Sequence, residues 1–134
     1  MLYIALAAFN LACAVMLGAF GAHGLKHIAN EIQLGWWQTA TDYFFYHALG
    51  LLLLGLLSLI QRPISQYQLR VKLSFILMQS GILVFSGSLY AMALGMPKIL
   101  GAITPFGGAL LIFAWLSLAW QAWQQHRSNP SSSF

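Results

Sequence analysis

Six residues in the first half of this chain have side chains that could do chemistry: His23, His27, Glu31, Asp42, Tyr46 and His47. His23 and His27 are four apart, as are Asp42 and Tyr46, so on a helix each pair shares a face. His47 lies about 7.5 Å deeper than Asp42 along a helix axis. An ionisable group at that depth in an apolar segment is a functional hypothesis by default, as a ligand or proton site. Its expected partners are Tyr43, one turn back, and Ser86 or Ser88 on a later helix. The competing reading is a neutral histidine that donates one hydrogen bond between helices and fixes their packing.

Histidine and carboxylate groups also suit first-row metals. His23, His27 and His47 are weak metal candidates, because no His-Glu-x-x-His or paired-cysteine spacing accompanies them. Haem between His23 and His47 would rest on residue type alone. No nucleotide loop, nucleophile elbow or Ser/His/Asp set occurs. The chain is therefore expected to be no enzyme and to carry no cofactor. The single Cys13 excludes an internal disulfide or dithiol pair and reads as a small packed hydrophobe.

The elements that position these residues are set by the solvent. Hydrophobic residues make up 60% of the 134 and charged residues 6%, against roughly 25% charged in soluble domains. Four stretches are almost free of charge, and each is long enough to cross a hydrocarbon layer about 30 Å thick. The pattern predicts an all-α integral membrane bundle with spans at about 2–20, 43–60, 73–96 and 106–123, in one domain covering 1–123. Residues 124–134, polar and serine-rich, are expected to form a disordered tail. The first span lacks the positive flank of a signal peptide and is expected to be retained.

Residues 26–41 differ in character. Leu25, Ile28, Ile32 and Trp36 recur on one side and polar groups on the other, which predicts a short interfacial helix between the first two spans. Thr39 and Asp42 read as a capping box opening the second span, and Pro63 as its end. Thr104 and Pro105 read as cap and first turn of the fourth. Gly107-Gly108 beyond them offers either amides to an anion or room for a neighbouring helix. Asn10, Ala14, Gly18 and Ala22 form one ladder of small residues, and Gly87, Ala91 and Gly95 another. Pairing of the first and third helices through these ladders is expected.

With the amino terminus inside, Arg62, Arg70, Lys72 and Arg127 fall on the cytoplasmic side and Lys26 and Lys98 on the outer side. This bias predicts both termini in the cytoplasm. The scattered basic residues make no nucleic-acid footprint.

Leu17 to His23, Gly35-Trp36, Gln38-Thr39, Tyr43 to His47, Phe85 to Tyr90 and Thr104 to Gly108 together resemble domain-of-unknown-function family 423. The chain is also similar to the eukaryotic transmembrane-protein-256 group. The resemblance spans residues 17 to 108 and implies a small four-helix inner-membrane protein without an established activity. Asp42 stands where many members carry glutamate. The expected function is a non-enzymatic component of the cytoplasmic membrane, self-associating or bound to a partner membrane protein. It would hold a lipid, small solute or partner helix through His23, Asp42, Tyr46 and His47. The alternatives are a small transporter or channel coupled through His47 and Asp42, and a metal- or haem-dependent membrane enzyme.

Overall fold

The computed structural model describes residues 1–60 and 65–128, those of 65–70 and 128 by backbone alone. Four helices carry the chain: α1 Leu2–His23, α2 Glu31–Ile60, α3 Ser65–Ala93 and α4 Thr104–Ser128. Each contains a segment long and apolar enough to cross a membrane. No strand occurs among the described residues. Arg62, Pro63 and residues 129–134 lie outside them.

The helices pack in chain order, α1 on α2, α2 on α3 and α3 on α4. The core between them holds Phe44, Leu51, Leu54, Phe75, Met78, Ile82 and Leu111. We call the end where α1 and α3 finish the upper end. There a smaller cluster of Leu25, Trp37 and Ala93 closes the bundle.

The segment between the first two spans differs from expectation. Its helical element is a single 3-10 turn, Leu25–His27, and residues 31–41 are instead the first three turns of α2. The capping box lies earlier than Thr39 and Asp42. The Asn30 side chain accepts from the Gln33 amide at 2.9 Å, and the Gln33 side chain accepts from the Asn30 amide at 3.0 Å. Such a reciprocal pair satisfies two amides that a helix start leaves bare, and Glu31 beside it suits the positive end of the helix dipole. With no proline between Glu31 and Ile60, nothing breaks α2 for 30 residues, about 45 Å.

The other ends are equally local. Gly95 takes φ +92°, and the amides of Gly95 and Met96 donate to the carbonyls of Met92 and Ala91. This is a Schellman closure, in which glycine accepts the left-handed conformation without strain. Thr104 does not serve as the expected cap; its hydroxyl meets Ser88 at 2.7 Å. α4 continues through residues 124–128, expected as tail, with the Arg127 guanidinium 5.2 Å from the Trp123 ring centre.

The two ladders do not meet each other, although Asn10 of the first reaches Gln79 of α3. Gly18 faces Thr41 of α2 and Ala22 is exposed; Gly87 is exposed with nothing near it, Ala91 is half-buried, and Gly95 forms the turn. The close approach belongs to α3 and α4. A Cβ on Gly107 would collide with the Phe85 backbone, and one on Gly81 would lie 3.0 Å from the Leu111 amide nitrogen. Gly107→Ala is therefore expected to cost about 1–3 kcal/mol through overpacking, whereas Gly87→Ala is tolerated. Unfolding in mixed detergent micelles measures both.

Candidate functional site

Polar side chains inside the spans fall into two groups, those matched within the bundle and those turned outward. Asn10 of α1 and Gln79 of α3 exchange amide hydrogen bonds of 3.0 and 3.2 Å. Gln121 donates to Ser74 and Ser117, joining α4 to α3. Ser86 donates to the Ala40 carbonyl at 2.9 Å, and Tyr90 to the Thr41 hydroxyl at 3.0 Å, joining α3 to α2. The buried Trp37 indole donates to the Leu17 carbonyl at 2.9 Å. Its ring packs on Phe20 and Tyr90. Gly21 admits it, since a Cβ there would stand 2.5 Å from the indole.

His47 belongs to the first group. It is buried, and its Nδ1 lies 2.6 Å from the Tyr43 carbonyl, with the Tyr43 ring stacked on it and Trp115 of α4 beyond. The carbonyl requires Nδ1 to carry the proton. Ser86 and Ser88, its other expected partners, bond elsewhere: Ser86 to Ala40, Ser88 to Thr104 and to the Phe85 carbonyl.

His23 is exposed at the end of α1 and His27 exposed on the 3-10 turn. Gly18 packs at Thr41; His23 lies five residues above that level and His47 six below it. His23 and His47 are therefore separated by about 16 Å along the bundle, too far to share a metal or haem. Among the described residues no three His, Cys, Asp or Glu side chains cluster as metal ligands.

Asp42 belongs to the second group. It lies eleven residues into α2, about 16 Å from its start. It accepts from Gln38 Nε2 at 2.8 Å, and Thr39 donates to the Gly35 carbonyl at 3.0 Å. Around the helix Asp42 and His47 are roughly 140° apart; His47 faces the core and Asp42 faces away from it. Tyr46, one turn below Asp42, is 61% exposed. The expected cluster is thus divided between two faces of α2 and the bundle end.

Among the described side chains, that outward polar face has no counterpart. Between Leu2 and Ala22 of α1, and between Pro105 and Trp123 of α4, every exposed residue is apolar or aromatic. On the span of α3 the exposed residues are Lys72 at its start, then Leu73, Ile76, Leu83 and Gly87. Among the described side chains, α2 alone turns a polar set, Gln38, Thr39, Asp42 and Tyr46, away from the core within a span. Two shallow grooves flank its upper half. One of about 210 Å³ runs along α1 past Gly18, Ala22 and Lys26, and one of about 290 Å³ runs along α3 past Met92, Met96 and Lys98.

The chain matches the family model described as protein of unknown function DUF423 over residues 17–108. It belongs to that family. A UPF0382 membrane protein of Staphylococcus epidermidis is 46% identical over 116 residues, 87% of this chain and 90% of the relative. The UPF0382 membrane protein YwdK of Bacillus subtilis is 42% identical over 116 residues, covering 87% and 91%. One from Haemophilus influenzae is 39% identical over 118 residues, covering 88% and 90%. No solved structure matches the chain. It is thus a four-helix membrane protein of an uncharacterised family, and its relatives' names carry no enzymatic activity.

Sequence reading missed the Asn10–Gln79 clasp, the Ser74–Ser117–Gln121 set and the role of Trp37. The signal for the clasp was present, since each amide stands inside an otherwise charge-free span. If the clasp works as a unit, Asn10→Ala and Gln79→Ala will couple by about 0.6–1.7 kcal/mol in a double-mutant unfolding cycle in bilayers or bicelles; additive losses would show the two amides acting independently.

Proposed function

We propose that this protein is a non-enzymatic component of the bacterial cytoplasmic membrane that engages another transmembrane helix along the outward face of α2. The observation that carries this reading is Asp42, a carboxylate on the face turned away from the core. Gly18, level with its neighbour Thr41, lies five residues below the end of α1 at His23. Asp42, one residue further down α2, is therefore about 9 Å below that end, a depth at which acyl chains supply no hydrogen-bond donor. Aspartate costs about 2.5–3.5 kcal/mol at the centre of a membrane helix and less nearer its end, and a second helix bringing donors offsets that cost. Both termini lie in the cytoplasm on this reading, supported by Arg62, Arg70, Lys72 and Arg127 against Lys26 and Lys98.

Lipid binding in the flanking grooves would leave Asp42 and Tyr46 unmatched. A transporter coupled through Asp42 and His47 would need both on one path, and they face opposite sides of α2.

The test is a nitroxide at Leu53→Cys, with Cys13→Ala, in nanodiscs excised directly from the native membrane. Collisions with oxygen are expected to be markedly rarer there than at Phe113→Cys on α4. Equal, lipid-like collision rates at both positions would remove the docking face.

A further inference from the structure

Gly35, Thr39, Asp42, Tyr46, Leu49 and Leu53 stand on the outward face of α2 at alternating spacings of four and three, all of them exposed except the half-exposed Asp42. Any straight helix face repeats in this way, so the spacing alone says little. The residues on it say more. The upper half carries small and hydrogen-bonding groups, the lower half only leucine, and leucine knobs at this repeat suit a parallel helix crossing at about 20°.

We infer that the helix covering this face is α2 of a second copy, related by a two-fold axis along the membrane normal, with the partner's Tyr46 hydrogen-bonded to Asp42. The inference rests on the docking reading above and names its partner. A copy inserted the same way round brings its own Gln38, Asp42 and Tyr46 to the same depth without further adjustment. A carboxylate has about four acceptor sites, and within one chain Asp42 fills one of them, from Gln38. The Gln38 amide retains a second hydrogen. The Tyr46 hydroxyl has no hydrogen bond among the described residues, and side chains on a helix lean toward its amino terminus. Tyr46 therefore rises toward the layer of Asp42. Like charges repel across the axis, so each carboxylate turns off it, toward Gln38 of its own chain and the partner's Tyr46. The apolar outer faces of α1 and α4 remain for lipid.

The experiment uses the purified full-length chain with Cys13→Ala in liposomes. Oxidation of Leu49→Cys is expected to give a disulfide-linked dimer, with Leu53→Cys as a second reporter. Phe9→Cys on α1 and Phe113→Cys on α4 are expected to stay monomeric. Adding Tyr46→Phe or Asp42→Leu should raise the dimer dissociation constant about tenfold, with circular dichroism showing the helices intact. Cross-linking that is absent at both α2 positions in folded protein, or equal at all four, overturns the inference. So does a dissociation constant that neither substitution moves. Absent cross-linking together with a shielded Leu53 in native nanodiscs would leave docking in place and assign it to a different protein. A lipid-exposed Leu53 would remove both.

Discussion

Hydrocarbon offers a polar group nothing to bond to, and this bundle is arranged around that constraint. Apolar packing holds membrane helices together only weakly, because lipid tails are as apolar as leucine. Each interhelical contact here accordingly carries a hydrogen-bonded feature. Trp37 reaches the Leu17 carbonyl between α1 and α2, and Asn10 meets Gln79 between α1 and α3. Ser86 and Tyr90 tie α3 to α2, while Ser74, Ser117 and Gln121 tie α3 to α4. His47 obeys the same rule within its own helix. Buried against aromatic rings and bonded to the Tyr43 carbonyl, it reads as a packed histidine before it reads as a reactive one.

The outward face of α2 departs from that arrangement, and the departure follows from a small local feature. The reciprocal cap of Asn30 and Gln33 starts the helix a full twelve residues before the charge-free stretch begins. Because the helix then runs on unbroken, Gln38, Thr39 and Asp42 are carried into the span instead of lying in a connection. A start at Thr39 would have left Asp42 at a helix end, where a carboxylate is stabilised by bare amides. Mid-helix, its only matched donor among the described residues is Gln38. On the docking reading proposed above, the donors this segment lacks come from outside one copy of the chain.

Much of this was legible in the residues. The four spans, their order and the family were readable because charge-free length is a strong signal, and no soluble surface can be built from this composition. The close glycines were harder. Gly87, Ala91 and Gly95 have the spacing of a packing ladder, yet one is open to the surroundings and another is a turn, while Gly81 and Gly107 make the tight contact. Spacing marks a face but not which neighbour covers it. Likewise Asn30-x-x-Gln33 and Thr39-x-x-Asp42 are both capping patterns, and only the continuity of the helix separates them. His23 and His47 looked like one constellation because they are near in sequence and both border polar residues. The rise of 1.5 Å per residue on two antiparallel helices puts them at different depths.

The upright course of α2 from Glu31 decides where Asp42 lies, and with it the functional reading. The direct test is a depth scan with single nitroxides at positions 35, 39, 43, 46 and 49 in bilayers, in a Cys13→Ala background. Depth is expected to grow by about 1.5 Å per residue from Gly35, reaching the mid-plane near Tyr46 and His47. Residues 35 and 39 at one shallow, constant depth, with descent beginning only after Asp42, would mean that this segment lies flat in the headgroups and would contradict the account.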